Sequence, residues 1–206
     1  MEIYSSEEQQ VEAIKRFWSE YGTPIIIGAV VGLGGLYGWN FYSDHKSGLA
    51  ENASDAYSAA MVNKTDPATL AGDIAKFDKD HDQKGYQAML QLTLAKAAID
   101  ANDLEKAETA LKAVLTEKPG QGLEEVATMR LARVQAELGK TSEALTTLSQ
   151  VTSDSFAAQR DELKGDLFVR QGDLAQAKDA YEAAMGSGEN AANPVLKMKL
   201  DNLTQA

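Results

Sequence analysis

The sequence contains no cysteine, which excludes disulfides, thiolate nucleophiles and cysteine-based metal sites. Its two histidines, His45 and His81, stand far apart and neither has a plausible nucleophile nearby in the chain. There is no P-loop, nucleophile elbow or HExxH pattern. Carboxylate pairs such as Glu124-Glu125 are adjacent, so on a helix they point into different sectors and read as a solvated face. Basic residues are scarce: 20 Lys and Arg stand against 31 Asp and Glu, for a formal net charge of −11. With no basic stripe, nucleic acid is an unsuitable partner. These absences point away from an enzyme: no catalytic residue, no cofactor and no metal ligand is expected.

Against this background one stretch stands out, the charge-free run Tyr21–Ser43. As a helix rising about 1.5 Å per residue it would span about 34 Å, against a bilayer hydrocarbon core of roughly 30 Å. Ile25, Ile26, Ile27, Val30, Val31, Leu33 and Leu36 supply its apolar body. Tyr37, Trp39, Phe41 and Tyr42 crowd the downstream end, where aromatic rings settle among headgroups. Pro24 suits the first turn of a helix, where a missing N–H costs nothing. A buried core helix would be shorter or carry a polar face. A cleaved signal would begin with a short basic region, whereas a tail with Glu2, Glu7, Glu8, Glu12 and Glu20 precedes this run. Residues 23–43 are therefore expected to form a transmembrane signal anchor, preceded by a cytoplasmic amphipathic tail over 1–22 in which Val11, Ile14, Trp18 and Tyr21 share a helix face. Lys15 and Arg16 lie before the span and only Lys46 follows closely, so the N-terminus is expected in the cytoplasm and the rest outside it. In a Gram-negative bacterium this gives a periplasmic domain.

Gly28, Gly32 and Gly35 fall on one face of that helix, with Gly34 and Gly38 beside it. Such a face admits close approach of another transmembrane helix. Glycine is also common in membrane helices for no such reason, and the sequence leaves both readings open.

After the span, Leu49, Ala53, Ala56, Tyr57 and Ala60 keep a helical period, and Asp66-Pro67 opens a helix expected to run to Phe77. Residues 44–85 thus read as a membrane-proximal helical pair, closed by a charged loop over 78–85. Asp78, Asp80, His81 and Asp82 lack the spacing of a calcium loop, and a solvated turn is the better reading.

From Tyr86 a repeat appears. Asn102-Asp103-Leu104, Gly139-Lys140-Thr141 and Gly172-Asp173-Leu174 each begin a stretch in which Ala107, Ala144 and Ala177 recur at spacings of 37 and 33, bracketing the 34-residue tetratricopeptide period. In register with them come Leu111, Leu148 and Tyr181, then Val114, Val151 and Ala184, and upstream Ala95, Ala132 and Gly165. The small residues let paired helices approach, and the large ones fill the space to the next pair. Residues 86–206 are accordingly expected to form a tetratricopeptide-like domain with a capping helix opened by Asn193-Pro194. The fold class is all-α: one transmembrane helix, then an α-solenoid.

In such arrays the first helix of each pair lines the concave surface. By this register the positions are Met89, Leu92, Lys96 and Ile99, then Val126, Met129 and Arg133, then Glu162, Asp166 and Arg170. Met89, Leu92, Lys96, Met129 and Arg133 form a candidate partner-binding surface, since flexible apolar side chains can repack around varied segments. Packing of Met89 and Leu92 against residues 47–80 is the competing reading.

The opening Met1-Glu2-Ile3-Tyr4, the block Glu8–Trp18 (EQQVEAIKRFW), the single glycine-rich span and the acidic repeat domain resemble the ancillary SecYEG translocon subunit family (YfgM-like). The resemblance implies an inner-membrane, single-pass protein with a periplasmic domain. It implies as partners the SecYEG translocon, a membrane-anchored periplasmic peptidyl-prolyl isomerase of the PpiD type, and unfolded translocating proteins on their way to periplasmic chaperones. It brings no catalytic residues. A scaffold or regulatory protein whose repeats bind one envelope or signalling partner is the alternative in another class.

Overall fold

The computed structural model describes residues 7–186 and 193–203; the Met1–Tyr4 block and residues 204–206 lie outside them. Every regular element among the described residues is helical. The fold is all-α. The chain divides into two compact units, Met1–Asn52 and Ala53–Ala206.

The first unit is carried by α1 (Glu7–Ala60), which continues into the second. The helix begins well before Pro24, so that residue lies inside it and not in a first turn as its position suggested. Proline then leaves the Glu20 carbonyl without its usual helical donor. Upstream, Phe17 and Tyr21 rings lie 5.2 Å apart, and the Trp18 indole covers Gly22 so closely that a Cβ there would sit 3.3 Å from it. Neither the 22/23 nor the 43/44 boundary interrupts the helix.

The second unit begins with the end of α1, where Ala53 and Ala60 are buried. A 3₁₀ turn (Met61–Asn63) leads to α2 (Pro67–Asp80). Asp66 caps α2 by accepting from the Ala68 N–H at 3.1 Å, with Pro67 at the first helical position. Leu70, Ile74 and Phe77 recur on one face and are buried. The charged loop is shorter than its composition suggested. Residues 78–80 continue α2, and Lys84 already opens α3 (Lys84–Asp100). The His81 ring lies 4.8 Å from that of Phe77. Ala53, Ala60, Leu70, Ile74 and Phe77 share one core with Leu90, Leu94 and Leu111 of the following helices.

The remaining helices come in pairs: α3 with α4 (Leu104–Glu117), α5 (Gln121–Glu137) with α6 (Thr141–Leu148), and α7 (Asp154–Gln171) with α8 (Leu174–Gly186), followed by α9 (Pro194–Leu203). The repeat is built into the backbone. The link inside each pair turns on one left-handed residue, Asn102 (φ 59°), Gly139 (φ 78°) and Gly172 (φ 80°), where only glycine or asparagine sits without strain. The next amide returns to the carbonyl five residues back: Asp103 N–H to Ala98 at 2.8 Å, Lys140 to Gln135 at 2.8 Å, Asp173 to Phe168 at 3.0 Å. Asp103 and Asp173 then cap α4 and α8 through Lys106 N–H and Gln176 N–H, each at 3.0 Å.

The aligned apolar positions are all interior. Ala107, Ala144, Ala177, Leu111, Leu148, Tyr181, Val114, Val151, Ala184, Ala95 and Ala132 are buried. Each fully buried leucine or valine contributes about 1.5–3 kcal/mol of hydrophobic stabilisation. Gly165, at the matching small position, is the extreme case. A Cβ there would stand 2.3 Å from the Tyr181 ring, so this pair closes only because the side chain is absent.

Candidate interaction surfaces

Two surfaces turn side chains or open helix faces outward. The first is α1 within its own unit. Ile25, Ile26, Ile27, Val30, Val31, Leu33 and Leu36 are all exposed. Gly28, Gly32 and Gly35 have nothing within 4 Å of where a Cβ would stand. Among the described residues this is the one helix long and apolar enough to cross a membrane. Water is the wrong solvent for so much outward apolar area.

The second surface is the outward row of the first helix in each pair. On α5 it runs Gly122, Val126, Arg130, Arg133, Glu137, all exposed or half-buried. The register-equivalent row on α3 is Gly85, Met89, Thr93, Lys96, Asp100, and on α7 it is Ser155, Gln159, Leu163, Asp166, Arg170, of which Leu163 is turned into the core. Met89 is half-buried, Lys96 is exposed and paired with Asp100 at 2.5 Å, and Arg133 is exposed. Leu92 and Met129 are buried instead. Leu92 packs in the core that α2 completes, and Met129 joins Leu148, Leu163 and Leu167. The physical reason is angular: positions 92 and 129 sit about one residue off the row, on the side turned to the neighbouring helices. Thr93 and Arg130 hold the outward place.

Ion pairs join successive pairs of helices. Lys140 reaches Glu108 at 2.7 Å, and Lys112 binds the same carboxylate at 2.7 Å. Hydrogen bonds from Lys112 and Lys140 hold the Glu108 carboxyl below its ordinary range. Arg170 reaches back to Glu137 at 2.6 Å and to the Ala136 carbonyl at 3.3 Å. At the far end Lys199 of α9 lies 2.8 Å from Glu162 and 2.7 Å from Asp166. Asp166 also accepts from the Tyr181 hydroxyl at 2.7 Å. Burial together with that carboxylate pushes the Tyr181 hydroxyl pKa up. Burial would lower the Lys199 ammonium pKa, but Asp166 and Glu162 outweigh it and raise it. Glu162 and Asp166 of the third pair are thus engaged within the chain.

A tetratricopeptide repeat-like domain family matches residues 15–205. Three curated relatives carry the name ancillary SecYEG translocon subunit. The Escherichia coli K12 protein is 35% identical over 99% of this chain and 100% of its own length. The Haemophilus influenzae protein is 34% identical, and the one from Aggregatibacter actinomycetemcomitans 32%, each over 96% of this chain and 97% of the relative. The chain belongs to this family.

For this ancillary-subunit chain, the match beginning at residue 15 takes in the apolar helix as well as the repeats. Sequence reasoning missed Arg130. The available signal was its place four residues after Val126 and seven before Glu137, a row at helical spacing with no leucine in it.

Proposed function

We propose that this protein is a membrane-tethered interaction module working beside the SecYEG translocon in the bacterial inner membrane. Its short N-terminal tail lies in the cytoplasm and its repeat unit in the periplasm. There it receives unfolded translocating proteins and helps pass them to periplasmic chaperones, in company with a membrane-anchored peptidyl-prolyl isomerase of the PpiD type. It acts by binding and not by catalysis. The observation that carries this reading is full-length similarity to named translocon subunits in a chain whose apolar helix is turned wholly outward. The Lys15-Arg16 flank supports the orientation. The open glycine face at Gly28, Gly32 and Gly35 supports a helix partner within the bilayer.

The test is recovery of the intact protein from membranes in mild detergent. Translocon subunits should accompany it, and replacing Gly28, Gly32 and Gly35 with leucine should reduce their yield while insertion continues. Recovery of one unrelated partner and no translocon would overturn the reading. Protease added to spheroplasts should digest the repeat unit; full protection there would reverse the orientation.

A further inference from the structure

The row on α5 carries charge that the rest of the unit does not neutralise. Residues 53–206 contain four arginines. Arg160 is bound to Asp161 at 2.7 Å and Arg170 to Glu137 at 2.6 Å. The Arg130 and Arg133 side chains are exposed and make no ion pair or side-chain hydrogen bond among the described residues. That is unexpected on a helix with three carboxylates of its own. Each of those is engaged elsewhere: Glu124 accepts from the Gly120 N–H at 3.2 Å, Glu125 from the Ser153 N–H at 3.1 Å, and Glu137 holds Arg170 of α7. Glu137, one turn beyond Arg133, is the natural i,i+4 partner that the inter-repeat bridge takes away.

We propose that Arg130 and Arg133 form a docking site for an extended acidic stretch of polypeptide, of the pattern Glu/Asp-x-Glu/Asp with an apolar residue alongside. This rests on the reading of the repeat unit as a binding module, and it supplies the chemistry that module selects. Three arguments fix the occupant. Two guanidinium groups one helical turn apart stand about 5–6 Å from each other at their Cβ atoms, and same-side carboxylates on an extended chain recur about every 6.6 Å. The planar fork of arginine matches a carboxylate with two parallel hydrogen bonds. Half-buried Val126, one turn upstream, offers the apolar contact. A basic segment meets repulsion from the two guanidinium groups, while the acidic remainder of the unit acts in the opposite sense, so the preference is set by the short-range pairing at Arg130 and Arg133. On α7 the equivalent row carries Leu163 and Asp166, with Asp166 held by Lys199, so the site does not extend onto the third pair.

The experiment uses the full chain in lipid nanodiscs and three short fluorescent peptides of one length, in which leucine alternates with glutamate, glutamine or lysine. The glutamate peptide should bind about ten-fold more tightly than the glutamine peptide, a difference of about 1.4 kcal/mol, and the lysine peptide more weakly still. Added salt should narrow the gap. The Arg130→Gln/Arg133→Gln variant, with its melting temperature unchanged, should bind the glutamate and glutamine peptides alike. Equal binding of all three peptides by the parent protein, or a charge preference that survives in the variant, overturns the proposal. Recovery of translocon subunits with the same variant is read separately. Loss of the peptide preference with the translocon retained supports the docking site. Absence of the preference in a parent protein that still recovers the translocon removes the site and leaves the proposed function standing.

Discussion

The two units treat apolar side chains in opposite ways. In the first, isoleucine, valine and leucine of α1 point outward around the helix. In the second, the same residue types point inward, and lysine, glutamate and aspartate cover them. The small residues differ in parallel. Gly28, Gly32 and Gly35 face open space, while Ala95, Ala132 and Gly165 are pressed against a neighbouring helix. A small residue is thus a closed contact in one unit and an offered one in the other.

The largest expected effect comes from breaking the outward unit. Val30→Lys with Val31→Lys places two charges at mid-helix, each costing about 2.5–3.5 kcal/mol of insertion free energy. The doubly substituted protein should be lost from the alkali-resistant membrane fraction, with the repeat unit's melting unchanged. Retention of the protein in that fraction would remove the membrane reading of α1.

A second pair of substitutions sharpens the contrast between the glycines. Gly165→Ala forces the Tyr181 ring to move and should cost about 1–3 kcal/mol, the usual penalty of overpacking. Gly32→Ala meets nothing within 4 Å and should leave folding untouched. Chemical denaturation followed by far-ultraviolet circular dichroism makes the comparison, and equal midpoints for the two variants would contradict it.

The smallest effect concerns the charged coat of the repeat unit. The Glu108 carboxyl is held below its ordinary value, chiefly by Lys112 and then by Lys140. A depressed carboxyl adds stability above its unfolded-state value and loses it as pH falls through the folded one. Glu108→Gln should therefore melt slightly lower than the parent at pH 7. The gap should close as pH drops below about 4.5, the ordinary glutamate range. A gap that persisted or widened in acid would show that the pairing with Lys112 and Lys140 is not its source.

The repeat architecture was legible because its signals are local. Each unit needs a left-handed turn residue, a small residue where helices touch and an alanine one turn into the second helix, and Asn102, Gly139 and Gly172 begin the stretches that carry them. The outward surface was only partly legible. Periodicity located the first helix of each pair, but a rotation of one residue separates Thr93 and Arg130, which face out, from Leu92 and Met129, which the core takes. That rotation is set by α2 and by the α6 and α7 contacts, which no spacing within α3 or α5 encodes. The Lys199 bridges to Glu162 and Asp166 join residues 37 and 33 apart and become visible only once α9 has folded back.

That last helix covers the outer side of the third pair. An open-ended stack ends in an apolar face identical in kind to its internal joints, and two such ends can continue the stack between molecules as readily as within one. Here Leu196 fills that end against Ala177, Tyr181 and Ala184, and Lys199 locks it in place. The helix therefore keeps that apolar surface out of water. A chain cut before Pro194 would uncover the apolar surface around Tyr181 and Ala184 that Leu196 now covers, a patch of the kind that draws other proteins together.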